Sequence, residues 1–297
     1  MKKYYPLILF MVLCAGWTTV LNYRDYFDQL PLKLAHVTNA QLASIAAAVN
    51  SPFHYAFSVN GTLSEAGSMD ESSSSYWWLN SGGYFYLTNG IGETIQGDLP
   101  ALNKWRVAYS ISNPEDTDNG YHPQNIFRLV SRSKWQNFQQ EAYLQIERDQ
   151  LSSSPNRNAS NGLLLFNRYQ DSATLYYTGI RVDGYAVIKK KINGVYYTMA
   201  YNPIVTGVAP YNRDANPNLL PKNIWIGLRS QVKTNSDGTV SVKLYMDRGK
   251  TGNWTLVAQA TDNGKSYGGA PILNAGFGGI RTDFMDVQMD DYQMTSL

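Results

Sequence analysis

The chain has 297 residues, a formal net charge of +2 and only 16% charged side chains. So even a balance, with no concentrated basic face, argues against a nucleic-acid partner. Cys14 is the only cysteine, so the chain can form no internal disulfide and no cysteine-based zinc site, and it has no thiolate nucleophile beyond its N-terminal run.

Lys2 and Lys3 precede an uncharged stretch, Tyr4 to Leu21, whose centre from Leu7 to Ala15 is strongly apolar. This is the pattern of a secretory signal, with a retained anchor as the other option, and both place the protein outside the cytoplasm, secreted or held at the cell surface. A membrane contact is expected only through residues 1–21. Residues 22–50 are rich in Leu and Ala around Ala43–Ala48 and predict a short helical linker.

From residue 51 to 297 the pattern is that of an all-β domain. Short runs such as GYFYL, WRVAYSI, FRLVSRS, EAYLQIE, GLLLFNRY, NIWIGLRSQV and VSVKLYMD are separated by turn residues, among them Asn60-Gly61, Asn89-Gly90 and Asp237-Gly238. No helix-period segment is expected between the strands, which disfavours a parallel α/β fold. The stretch Thr174 to Ala200 is the clearest: three strands joined by Asp183-Gly184 and Asn193-Gly194, the dipeptides of type I′ hairpins. A dozen or so strands at this spacing predict a two-sheet antiparallel β-sandwich. Two polar loops, Asn113–Gln124 and Thr206–Lys222, are natural carriers of binding groups. In SSSSYWW, one of Trp77 and Trp78 should face the core and the other the outside. The 22 Tyr and 7 Trp suit strands, and they equally suit a sugar-facing surface.

The meander IRVDG…AVIKKK…NGVYYTMA, the hairpin GNWTLV and the final strand FMDVQMDDYQM resemble the concanavalin A-like superfamily of lectins, glucanases and laminin-G-like domains. The resemblance covers residues 53–297. It implies a jelly roll whose concave sheet holds a glycan. It also implies a structural Ca²⁺ between the first and last strands, at positions matching Glu65 and Asp291. The loop Glu115–Gly120, with alternate oxygen donors before a glycine, is a rival calcium site.

The glucanase signature of that superfamily, Glu-x-Asp-x-x-Glu, is absent. Glu141 and Glu147 share a face but lie about 20 Å apart on an extended strand, too far for paired carboxylate catalysis. The expected glycan-binding set is Arg128, Tyr143, Gln145, Arg168, Tyr177, Arg181 and Lys189, with tyrosine rings to stack on sugars and planar polar groups to hydrogen-bond them. The other reading of these residues is a solvated polar strand face. A polysaccharide lyase acting on an acidic uronate glycan is the alternative function, with His122 or Tyr143 as base and Arg128 or Arg181 neutralising the carboxylate. A surface adhesion or structural module is a third. The three histidines, at 36, 54 and 122, lack zinc spacing, and no phosphate loop or Gly-x-Ser-x-Gly elbow is present.

Overall fold

The computed structural model describes residues 53–297. The export segment and the linker predicted over 1–50 lie outside the described residues. Among the described residues no helix is long and apolar enough to cross a membrane.

Sixteen strands follow one another: β1 (Phe53–Tyr55), β2 (Gly61–Ser64), β3 (Trp77–Ser81), β4 (Tyr84–Thr88), β5 (Ile91–Thr94), β6 (Ile126–Trp135), β7 (Phe138–Asp149), β8 (Gly162–Asp171), β9 (Thr174–Arg181), β10 (Tyr185–Ile192), β11 (Val195–Pro203), β12 (Ile226–Thr234), β13 (Val240–Arg248), β14 (Thr255–Asp262), β15 (Gly276–Asp283) and β16 (Met285–Ser296). They form two antiparallel sheets. One has the order β14-β13-β12-β7-β16-β5-β4-β2, with β1 added on β16; the other has the order β11-β10-β9-β8-β15-β6-β3. Period-two alternation turns one face of each sheet inward. Leu129, Leu144, Leu165, Leu228, Leu244 and Val287 are fully buried in the shared core. Trp77 is buried in this core, whereas Trp78 packs on the outer side of the seven-stranded sheet.

The segment WRVAYSI is not a strand. It belongs to helix α1 (Lys104–Ser112), capped by Asn103, whose side chain accepts a hydrogen bond from the Trp105 amide at 2.9 Å. Trp105 and Tyr109 sit four residues apart and dock the helix. The Trp105 indole donates to Ser64 and the Tyr109 hydroxyl donates to Glu65. Val107 and Ile111 are left exposed. The cap and this aromatic pair override the β-like alternation of the segment.

The three-stranded meander, β9 to β11, forms as expected, with one difference at a turn. Asn193 (φ 50°) and Gly194 (φ 81°) are both left-handed, as type I′ requires. At Asp183-Gly184 only the glycine is left-handed (φ 82°). The Asp183 side chain accepts hydrogen bonds from Arg181 and the Tyr201 hydroxyl, each at 2.7 Å.

Between β6 and β7 lie only Gln136 and Asn137, yet the two strands belong to different sheets. Arg168 holds this corner. It is fully buried and left-handed (φ 49°) in an irregular stretch of β8. Its guanidinium donates to the carbonyls of Gln136 (2.7 Å) and Ile272 (2.6 Å), to the Asn137 side chain (3.0 Å) and to the Thr234 hydroxyl (2.8 Å). Arg168 is therefore a structural clamp and offers nothing to a glycan.

Candidate functional site

The outer face of the seven-stranded sheet carries a trough. Register places Arg281 of β15 directly opposite Arg128 of β6, and Lys189 of β10 directly opposite Tyr177 of β9. The hairpin turn at Asn193-Gly194 sets Tyr196 of β11 opposite Lys191. Arg128, Arg281, Lys189, Tyr177 and Tyr196 line a cavity of about 340 Å³ together with Asp116, Asn156, Asn158, Asn161 and Asp283. A narrower extension of about 50 Å³ adds Phe166, Tyr169, Leu175 and Lys191. Leu164 and Phe166 give the floor an apolar part, and Val130 and Val187 pack against them beneath as a second, smaller cluster.

Like charges directly opposite on neighbouring strands repel. Asp283 compensates one of the two, accepting from Arg281 Nε at 2.8 Å. Burial depresses the Arg281 guanidinium, but Asp283 and Tyr196 outweigh it and hold the pKa above the ordinary value. Among the described residues no carboxylate accepts a hydrogen bond from Arg128, although the Asp283 charge acts on it from farther away. Burial first, and then the Arg281 charge, push it below the usual guanidinium range. Lys189 is likewise lowered, by burial and then by Arg181. Burial raises the Tyr177 hydroxyl. Burial also acts to raise Tyr196, but Arg281 and Lys191 beside it prevail, and its hydroxyl falls below the ordinary tyrosine value. The Lys191 ammonium lies 4.5 Å from the centre of the Tyr196 ring, and the Tyr177 and Tyr196 rings meet edge to face at 5.9 Å. The result is a trough with a cationic centre, tyrosine walls and an asparagine-lined end.

Of the residues singled out in the sequence, Arg128, Tyr177 and Lys189 come together here. Arg181 lies on the same face but anchors a loop, donating to the Ala159 carbonyl and to Asp183. Tyr143 and Gln145 do not join the trough. β7 belongs to the nine-stranded sheet, so its polar side looks out from the opposite side of the sandwich. There Tyr143 donates to Asp247 (3.0 Å) and leans on Trp254, while Gln145 donates to Glu147 (2.6 Å). Burial and the Asp247 bond both raise the Tyr143 hydroxyl, the wrong direction for a base. His122 is not among the residues lining the trough. Its ring nitrogens contact Asp118 and Asp98, each at 2.8 Å, and it serves the loop before β6.

The carboxylates predicted for calcium do not fit a shared ion. Glu65 accepts from the Tyr109 hydroxyl (2.7 Å) and the Gly83 amide (2.8 Å), and burial, its largest influence, raises its carboxyl. Asp291 is paired with Lys250 (2.9 Å) and touches His54. In the rival loop, Asp116 and Asp118 accept from Ser154 and Ser152 and pin the neighbouring segment. Burial pushes the Asp116 carboxyl up, but hydrogen bonds from Ser154, Asn156 and Asn113 hold it below the usual range. Among the described residues no group of three or more His, Cys, Asp or Glu converges to hold a metal.

Arg281, Tyr196 and Asp283 were not singled out in the sequence. Arg281 and Asp283 alternate in GGIRTD, a charged pair on one face of a glycine-rich apolar strand, and that was a readable signal. Tyr196 follows from the hairpin register once Asn193-Gly194 is taken as the turn.

No family model matches the chain, and no curated protein matches it. Solved structures similar to it include a carbohydrate-binding module from Bacillus subtilis, at 12% identity and TM-score 0.45 over 74% of this chain and 95% of that one. A beta-glucanase from Bacillus licheniformis is similar at 11% identity and TM-score 0.42, over 84% and 99% of the two chains. A beta-1,3-1,4-glucanase (lichenase) derived from a mouse hindgut metagenome is similar at 10% identity and TM-score 0.41, over 83% and 100%. At these values the likeness carries no argument about the trough or its role. The chain's own layout, two antiparallel sheets, is the one expected from its sequence.

Proposed function

We propose that the protein binds an acidic polysaccharide in the trough on the outer face of the seven-stranded sheet. The observation that carries this reading is Arg128. Its guanidinium faces Arg281 across the β6–β15 pair, and among the described residues only Arg281 of the two is hydrogen-bonded to a carboxylate. A carboxylate or sulfate from a ligand would supply the missing anion, and the planar guanidinium fork suits it. The apolar floor and the rings of Tyr177 and Tyr196 suit the CH faces of sugar rings. Titration calorimetry against galacturonan, mannuronan, glucuronan and a neutral glucan tests it. Binding to a polyuronate that drops at least tenfold in Arg128→Ala supports the reading. Equal binding to the neutral glucan, or binding that survives Arg128→Ala, refutes it.

One observation favours a second reading on the same site, β-elimination within a bound uronate. Tyr196 is acidified by Arg281 and Lys191, which favours a phenolate inside the trough. That phenolate would take the proton from C5 as the C4–O bond breaks and the C4=C5 double bond forms. The leaving oxygen would then recover a proton from the Tyr196 phenol. Arg128 and Arg281 would neutralise the carboxylate. The assay is the ultraviolet absorbance of the unsaturated product, with Tyr196→Phe as control. No product across the three polyuronates leaves binding as the whole function.

A further inference from the structure

The narrow extension of the trough is a side pocket with its own chemistry. Three cations from three strands meet there, Arg128 of β6, Arg281 of β15 and Lys191 of β10, and no carboxylate lines it. Tyr169 and Tyr177 stand beside them. Burial raises both hydroxyls, so they stay protonated and can donate. The pocket holds about 50 Å³. One water needs about 10–15 Å³ of such space, so the pocket takes a group of a few atoms and excludes a sugar ring. Over both chambers the lining carries Arg128, Lys189, Lys191 and Arg281 against Asp116 and Asp283, an excess of two positive charges. One uronate carboxylate neutralises only one of them.

We infer that the side pocket takes a sulfate ester of the glycan, so that the preferred ligand is a sulfated uronate polysaccharide. This rests on the acidic-glycan reading above. A uronate carboxyl is bonded directly to the sugar ring and brings two oxygens. A sulfate ester hangs from the ring on an oxygen, reaches into a space that the ring cannot enter, and presents three terminal oxygens. Those oxygens match three cations approaching from different strands, and charge-assisted bonds of this kind are the strong ones. Arg128 and Arg281 line both chambers. Each guanidinium has several N–H donors in a fork, enough to serve a carboxylate in the main chamber and a sulfate in the side pocket.

The test compares two polymers of equal charge, made from the polyuronate that the wild type binds most tightly. One is partly O-sulfated and the other is O-carboxymethylated to the same degree. The wild type should bind the sulfated polymer about tenfold more tightly, the fold-change that one additional charge-assisted hydrogen bond supplies. Lys191 lines the side pocket and not the main chamber, so Lys191→Met should cut this ratio to about twofold or less. Equal wild-type affinity for the two polymers overturns the inference, and this measurement needs no variant to fold. So does a Lys191→Met protein with an unchanged melting temperature and an unchanged ratio. Sodium sulfate alone is the third arm: saturable binding of the free ion, with no preference between the polymers, would assign the pocket to a free anion and also overturn the inference. Arg128→Ala, measured on the unmodified polyuronate, separates the two claims. If it leaves that binding intact, the acidic-glycan reading fails; if it abolishes that binding while the wild type holds the two polymers alike, only the sulfate pocket fails.

Discussion

Replacing Arg168 by Met removes the clamp at the β6–β7 corner while keeping most of the apolar stem. Four donated hydrogen bonds are lost, to Gln136, Ile272, Asn137 and Thr234. Bonds from a charged donor contribute about 1.5–3 kcal/mol each, but removing the buried cation also recovers its desolvation cost. The net loss should be about 3–5 kcal/mol, as when one partner of a buried charged network is deleted. For a domain of this size each kcal/mol moves the melting temperature by roughly 2–4 °C, so a fall of about 6–20 °C is expected. Calorimetric melting and urea unfolding measure it. Arg168→Lys should fall between, because an ammonium cannot reach four acceptors spread around a planar fork. A loss below about 1 kcal/mol for Arg168→Met would show that the four acceptors find other donors, and the clamp argument would be refuted.

Tyr143→Ala should leave polyuronate affinity within about twofold, since Tyr143 faces away from the trough, while costing about 1 kcal/mol of stability through the lost bond to Asp247. A chelator should leave the melting temperature unchanged, because Glu65 and Asp291 are each engaged with protein donors; a marked drop would restore a bound cation as a structural element. Glu65 holds its proton more tightly folded than unfolded, its carboxyl being raised chiefly by burial. Its contribution to stability is therefore full below the unfolded-state pKa and is lost as pH rises through the raised folded value. Glu65→Gln can still accept from Tyr109 and Gly83, so it should flatten this part of the stability–pH curve; an unaltered curve would mean the carboxyl does not titrate differently on folding.

Local signals carried much of the fold. Alternation and the two turn dipeptides correctly predict the meander, because hairpin register depends on neighbours in the sequence. Alternation also shows which residues share a face, but not which sheet a strand joins. That is why Tyr143 and Gln145 read as companions of Arg128 although a two-residue corner sends β7 to the other side of the sandwich. α1 was hidden for a related reason: Trp105 and Tyr109 fit a strand locally, and beside the Asn103 cap it is their docking partners Ser64 and Glu65, some forty residues earlier, that decide for the helix. The site was half visible. Arg128, Tyr177 and Lys189 announced themselves by charge and pattern, whereas Arg281 is joined to them by a pairing across about 150 residues that no local rule predicts.

The placement of β15 and β16 bears on how this domain can assemble. These two strands come latest in the sequence, yet β15 lies between β8 and β6 and β16 between β7 and β5. Until the chain beyond Gly276 is present, both sheets are split down the middle, with four strand edges bare and Arg128 without its neighbour. A nascent or truncated form would display these edges as templates for pairing with other copies. Closure of the two sheets and completion of the trough are thus one event, set by the arrival of the same two consecutive strands.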